Sequence, residues 1–346
     1  MSALKTITVI GGGLAGLTLG IGLRKAGVPV VIHEAGEYPR HKVCGEFISG
    51  RGIGTLQRLG LFELLKSAAA RPAQTVAFFW QDRALARHEL PEPAWCLSRF
   101  TLDQSLAEHF VSLDGVLHRN SRWTGCFVGE GLVRASGRRL KNSPGHWRWI
   151  GLKAHACAVP LTADLEMHWR PHGYVGLCRL PHDRINVCGL FRSRTPFHHL
   201  QEQWPAMLAG DNDNALRQRL SCAQFLPETF GAVAGLHIDS CMAVAGECAI
   251  GDALTMVPPV TGNGMSLAFE SAEIALPKLV QFSQGVVSWE SATQQIRRSF
   301  QRQFRGRLRT ARYLHTAMFN VLLSQLLLWA LPRCRNSWHW AFAHTR

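Results

Sequence analysis

Two short stretches of this chain have the residue types and spacing to grip an extended, anionic ligand. The first is Gly11-Gly12-Gly13-Leu14-Ala15-Gly16, a G-x-G-x-x-G pattern answered downstream by Glu34 and Ala35. In such a pattern Gly11 permits a tight turn, Gly13 lets the backbone approach a pyrophosphate, and Gly16 lets a helix pack closely on a strand. Glu34 can accept hydrogen bonds from ribose hydroxyls. The second stretch is Gly251-Asp252, followed by Pro258-Pro259-Val260-Thr261-Gly262-Asn263-Gly264-Met265. Asp252 can accept from the hydroxyls of a linear sugar. A loop whose Gly262 and Gly264 carry no side chain can pass close to a flat ring. A helix beginning at Gly264 turns its positive end toward negative charge on that ring's edge.

These stretches need elements to hold them. Apolar Ile7–Ile10 predicts a strand before the first glycines, an Ala/Leu-rich helix follows to about Gly27, and Val28–His33 predicts the next strand. Residues 52–70 read as helix, 74–80 and 84–89 as strands broken by Pro91 and Pro93, and 99–112 as an amphipathic helix. Short strands are expected at 115–118, 123–128 and 131–135. A β-rich segment over 149–191 has four runs bounded by Pro, Gly and Asp, as antiparallel strands should be. Helices near 198–209 and 213–221 precede a strand at about 241–250, which delivers Gly251-Asp252, and a helix from Gly264 to about 282. The nucleotide-binding unit is therefore interrupted by a β-sheet insert and resumed after it.

At 346 residues the chain can build two closely packed domains. The first strand begins almost at the N-terminus, so no signal peptide is expected and the setting is expected to be cytoplasmic. Ten cysteines are scattered without C-x-x-C or zinc spacing, which argues for free thiols and no metal site. The formal net charge is +14, but the basic residues do not interleave with aromatics, which argues against nucleic acid. Arg297, Arg298, Arg302, Arg305, Arg307, Arg309, Arg312, Arg333 and Arg335 cluster near the C-terminus. An anionic membrane surface, an acidic partner or a solvated helix face each accounts for them.

Together the two stretches resemble the FAD-binding domain of the flavoprotein monooxygenase and geranylgeranyl reductase superfamily, over most of residues 1–285. The anchors are Gly11 to Glu34, Arg99 with Asp103, and Gly251 to Gly264. The segment Lys42-Val43-Cys44-Gly45-Glu46 is similar to the Lys-x-Cys-Gly segment of the geranylgeranyl-reductase-like branch, where it lies beside the isoalloxazine. The resemblance implies an α/β fold: a Rossmann-like FAD/NAD(P)-binding domain (1–72, 96–146 and 238–285), an inserted antiparallel β-sheet substrate domain (73–95 and 147–237), and a helical C-terminus (286–346). It implies FAD as cofactor, with NAD(P)H as a candidate transient donor. The expected cofactor residues are Gly11, Gly13, Leu14, Ala15, Gly16, Glu34, Ala35, Lys42, Cys44, Gly45, Arg99, Asp252, Pro259, Gly262, Asn263, Gly264 and Met265.

Aromatic hydroxylases of the superfamily carry an Asp-Gly pair where this chain has Ala135-Ser136-Gly137-Arg138-Arg139, and no second G-x-G-x-x-G unit is present. That departure argues against direct reduction by NADPH at this site. Trp147-Arg148-Trp149-Ile150-Gly151 is superficially similar to the Trp-x-Trp-x-Ile-Pro motif of flavin-dependent halogenases, but its spacing and missing proline mark it as packing. No acid/base carboxylate pair or nucleophile triad is recognisable, as expected where a flavin carries the chemistry. The candidate catalytic residues are Cys44, Lys153 and His155. Period-two alternation puts Lys153 and His155 on one strand face, which looks either toward the flavin or toward solvent or core. The apolar run 316–331 is about 16 residues, short of the ~20 a span needs. Core or dimer packing, a membrane-surface helix and a span remain open.

The function implied is an FAD-dependent oxidoreductase that acts on a hydrophobic small molecule of lipid, isoprenoid or secondary metabolism by hydride transfer from reduced flavin. An FAD-dependent monooxygenase using NAD(P)H and O2 is the alternative, and a non-catalytic flavin-bearing binding protein is the alternative of another class. Peripheral association with the inner face of a membrane would suit such a substrate. Oligomeric state is not indicated.

Overall fold

The computed structural model describes residues 3–81, 83–138, 147–197, 199–210, 215–236, 246–320, 323–324, 340 and 342–345. In chain order the elements are β1 (Ile7–Ile10), α1 (Leu14–Lys25), β2 (Val30–His33), β3 (Phe47–Ile48), α2 (Arg51–Arg58), α3 (Phe62–Ser67), β4 (Arg71–Trp80), β5 (Arg83–Cys96) and α4 (Arg99–Ser112). Then come β6 (Val116–His118), β7 (Leu132–Arg134), β8 (Arg148–Cys157), β9 (Leu165–Arg170), β10 (Gly173–Arg179), β11 (Ile185–Ser193), α5 (Leu200–Ala209) and α6 (Ala215–Arg219). The last are β12 (Gln224–Ala234), β13 (Cys248–Ala249), α7 (Gly264–Ser283) and α8 (Trp289–Met318).

The first sheet is parallel, in the order β13-β7-β1-β2-β6. Its central strands β1 and β7 are mostly buried, whereas β6 at the edge is largely exposed, with Val116 47% exposed. Ile7, Val9 and Ile32 are fully buried, in one core with Leu17 and Ile21 of α1, Leu106 and Phe110 of α4, and Phe269 and Leu279 of α7.

The second sheet has the order β12-β8-β11-β10-β9-β4-β5-β3, antiparallel except where β4 meets β9. Its two faces differ. Ile150, Leu152, Ala154 and Ala156 of β8, with Val175 and Val187, pack against Trp204 and Leu208 of α5 and Leu216 of α6. The alternate residues face the first lobe, and between the two lobes lies a cavity.

Four local expectations are revised. Residues 52–70 form two helices, because the chain turns at Gly60 with φ +63°. Pro91 and Pro93 do not end a strand. Ala73 pairs with Ala94 and Thr75 with Glu89, so both prolines lie in a bulge where no ladder N–H is needed. Residues 123–128 are irregular, their aromatics held individually: Trp123 Nε1 donates to Cys126 O at 3.1 Å, and the Arg134 guanidinium lies 4.0 Å over the Phe127 ring. Strand β12 was not expected, because Pro227 obscures it. The register shift between Leu226 and Gly231 accommodates that proline on an edge strand.

Trp149 packs edge-on against Phe319 just beyond α8, at 4.7 Å. No helix among the described residues is long and apolar enough to cross a membrane. Most of the run 316–331, with Arg139, Arg333 and Arg335, lies outside the described residues.

Candidate functional site

The turn from β1 into α1 sets one end of the site. Gly11 has φ +109°, and a Cβ there would stand 2.3 Å from Ala135 O. At Gly13, the N-cap of α1, a Cβ would meet no atom within 4 Å. No side chain caps α1 and no acid lies in its first turn, so its leading N–H groups and dipole are free for an anion. Leu14 and Ala15 continue the wall. Gly16 does not reach the cavity. A Cβ there would stand 2.0 Å from Gly11 O, so its role is the close packing of helix on turn.

Glu34 ends β2 on the cavity wall beside Ala35. Its carboxylate accepts from Gly12 N at 2.8 Å and Gly36 N at 2.9 Å, and pairs with Arg40 at 2.7 Å. Tyr38 donates to Gly12 O. Glu34 thus shapes the turn as well as facing the space a ribose would take.

The second loop sets the other side. Gly251 takes φ +58° at the end of β13, its N–H donating to Ser271 Oγ at 2.9 Å. Asp252 projects into the cavity. Burial among protein groups raises its carboxyl above the ordinary range, opposed by the charges of Arg99 and Arg138. Pro259, Gly262, Gly264 and Met265 line the same wall. Gly262 has φ +63° and a Cβ on it would stand 2.4 Å from the Phe47 ring, whereas a Cβ on Gly264 would meet nothing within 4 Å. Asn263 departs from expectation. It is 2% exposed, does not line the cavity, and donates through Nδ2 to Thr345 O at 2.7 Å.

Between the loops lies a buried charged network. Asp103, fully buried on α4, pairs with Arg99 Nε at 2.6 Å and with Lys42 Nζ at 2.6 Å. Burial alone would raise the Asp103 carboxyl, but Arg99 and Lys42 more than offset it and hold it low. Arg99 and Lys42 reach the cavity wall from this anchor, alongside Cys44 and Gly45. Burial raises the Cys44 thiol, against the pull of Arg99, so it is a protonated wall residue.

Lys153 and His155 do share a strand face, but it looks neither into the cavity nor to solvent. They are 0% and 1% exposed and absent from the cavity wall. Both hold Glu46: His155 Nε2 lies 2.7 Å from one carboxylate oxygen, Lys153 Nζ 3.3 Å from the other, which also accepts from Arg99 N at 2.9 Å. Burial pushes Glu46 up, but these partners prevail and hold its carboxyl low. The expectation that this face looks toward the flavin is therefore corrected: His155 Nε2 and Lys153 Nζ hold the Glu46 carboxylate, and Lys153 Nζ also lies 3.1 Å from His41 Nδ1. Glu46 and His41 were missed as members of this network. Their only sequence signal is proximity to Cys44, because the partners arrive from β8 across a long chain separation. Burial, then Lys153 and His155, push His41 down to about 4.

The cavity holds about 1270 Å³. One run of wall is polar glycine-loop backbone, from Gly11 to Ala15 and from Gly251 to Met265. The other is apolar, with Phe78, Leu165, Met167, Trp169, Leu190 and Met318. FAD fits this donor set on observations of the chain itself: open space at Gly13 and Gly264, an uncapped α1, and Asp252 lining the same cavity.

Comparison with known proteins agrees. Residues 4–141 match the FAD binding domain family. A 115-residue stretch is 39% identical to 3-amino-4-hydroxybenzoate 2-monooxygenase PtmB3 of Streptomyces platensis, covering 33% of this chain and 27% of that protein. An 82-residue stretch is 36% identical to menaquinone reductase of Mycolicibacterium smegmatis, covering 24% and 20%. These matches span about a quarter of the relatives' length. The geranylgeranyl bacteriochlorophyll reductase-like protein of Thermoplasma acidophilum superposes with TM-score 0.73 at 16% identity, over 99% of this chain and 96% of that one. The chain shares the fold of that protein, and its residues 4–141 are similar to the FAD binding domain.

Proposed function

We propose that the chain is an FAD-dependent oxidoreductase that acts on a hydrophobic small molecule by hydride transfer from reduced flavin. The observation that carries this reading is the continuity of the cavity: one space is walled by both glycine loops and by the apolar face of the second sheet. Bound FAD supplies the two-electron chemistry. The N-terminus of α1 with Gly13, Leu14 and Ala15 holds the pyrophosphate. Glu34 and Ala35 lie along the ribose, and Asp252 accepts from the ribityl hydroxyls. Pro259, Gly262, Gly264 and Met265 back the ring, while Lys42, Cys44, Gly45 and Arg99 close the side between the loops. The sheet orients the substrate and excludes water. The test is anaerobic: photoreduced holoenzyme should be reoxidised by a hydrophobic acceptor with loss of one hydride equivalent per flavin. A flavin that never cycles with any donor would leave a binding role only.

The similarity to an aminohydroxybenzoate monooxygenase favours a second reading, oxygen insertion with NAD(P)H as donor. Substrate-stimulated NADPH oxidation that requires O2 would establish it. The surface of α8 supports peripheral contact with an anionic bilayer: Arg298, Arg302, Arg305 and Arg309 share one exposed stripe at helical spacing, opposite Leu314 and Met318 on the cavity wall.

A further inference from the structure

Part of the cavity wall is built by Trp169 of β9, Tyr174 of β10 and Leu190 of β11, with Leu314 and Met318 of α8. Trp169 and Tyr174 are direct cross-strand partners, so their side chains share one face, with ring centroids 4.8 Å apart. Trp169 is 2% exposed, and its indole Nε1–H is buried without a hydrogen-bond partner. Tyr174 brings a phenol to the same wall, kept protonated by burial. A buried donor without an acceptor is destabilising, and such orphans are uncommon in folded proteins. Trp169 is a wall residue of the cavity, so a molecule filling that space is a candidate source of the acceptor.

This wall also lacks a cation. Arg40, Lys42, Arg99, Arg122, Arg134 and Arg138 reach the cavity from the first lobe and its loops. On β4, β9, β10 and β11 the one charged residue of the wall, among the described residues, is Glu166, and its side chain is fully buried. Its oxygens are already held by Thr162, His168 and Arg219. A substrate carboxylate at Trp169 would be stripped of water with no cation on this part of the wall, because Arg192 of β11 does not line it and donates through Nη2 to Phe319 O at 2.7 Å. A neutral carbonyl oxygen would complete the orphan donor and leave no charge buried.

We propose that Trp169, with Tyr174 beside it, forms a recognition site for a neutral, largely apolar molecule presenting one carbonyl oxygen, a ketone or a quinone. The carbonyl accepts from Trp169 Nε1–H, and the apolar body lies along Leu190, Leu314 and Met318. This names the substrate class of the cavity proposed above and rests on that reading.

The test compares three ligands of one shape by calorimetry on full-length, FAD-saturated protein: 2-acetylnaphthalene, 2-ethylnaphthalene and 2-naphthoate. The ketone should bind about fivefold to tenfold tighter than the hydrocarbon, the range of one net neutral hydrogen bond. The carboxylate should bind at least about tenfold weaker than the ketone. Trp169→Phe keeps a ring and removes the donor. It should abolish the preference for the ketone while leaving the hydrocarbon within about twofold. Equal binding of ketone and hydrocarbon by the unmodified protein would mean that water serves the indole, and would overturn the proposal. So would tighter binding of the carboxylate, or an equal loss of both neutral ligands in W169F. If W169F does not fold, the ranking of the three ligands by the unmodified protein decides. The visible spectrum, recorded first, reads the cofactor separately. A yellow protein that fails the ranking sinks this site alone, whereas a colourless one sinks the cofactor reading.

Discussion

The two sheets divide the work in different currencies. Around the parallel sheet the chemistry is carried by backbone: the uncapped end of α1, the positive φ of Gly11 and Gly262, and the open space at Gly13 and Gly264. Around the antiparallel sheet it is carried by side chains that meet only after distant strands pair, as when Lys153 and His155 of β8 close on Glu46. Damage to the first region should therefore empty the site and spare the fold. Damage to the second should weaken the fold whether or not cofactor is present.

The sharpest way to break this contrast is at Glu46. Glu46→Ala leaves Lys153 buried without its counter-charge, which costs about 3–5 kcal/mol. Chemical denaturation of the apoprotein should show that loss, and an unchanged midpoint would place the network outside the folding core. Next is pH. Burial, then Arg192, push His315 on α8 down to about 4 in the folded state, against 6.5 for the free group. Its folded value is depressed, so the unfolded chain binds the extra proton between pH 6.5 and 4, and stability is lost as pH falls through that window. The His315 contribution is about 3 kcal/mol at most. His315→Asn should flatten the pH dependence of the unfolding midpoint over that interval, and an unchanged slope would remove His315 as its source.

Gly13→Asp tests the other side. Its Cβ meets no atom within 4 Å, and it sets a carboxylate where an anion is to bind. FAD affinity should fall by about 100-fold or more, with thermal stability of the apoprotein nearly unchanged, as read by flavin fluorescence titration and apo melting. The smallest effect is expected at Asp252→Ala, which removes a hydrogen-bond acceptor and should weaken FAD by about tenfold. A larger fall in apo stability than in affinity would make Asp252 structural.

The same contrast explains what the sequence makes legible. Gly11 to Glu34 is a contiguous motif because turn, helix end and acid are set by local geometry, and a reader needs only spacing to find them. Arg99 and Asp103 sit one helical turn apart and are legible for the same reason. Glu46, His41 and Trp169 have no such signature. Their partners lie on β8 and β10, and only strand register brings them together. Lys153 and His155 show the cost of reading alternation without register. The shared face is right, but what covers that face is the loop carrying Glu46, which periodicity does not reveal. Gly16 and Asn263 show a smaller limit: a motif identifies a loop, while packing decides which of its residues touch the space beyond.

The threading of the chain has a practical consequence. It leaves the parallel sheet after β2, adds β3 to the other sheet, returns for α2 and α3, crosses again for β4 and β5, and comes back for α4 to β7 before laying down β8 to β12. No single cut separates the lobes, since each is missing strands that the other side of the cut encodes. Truncations at either lobe boundary should yield insoluble fragments, whereas two complementary fragments expressed together have a route to reassembly. The molecule is laced rather than hinged, so its halves should melt as one.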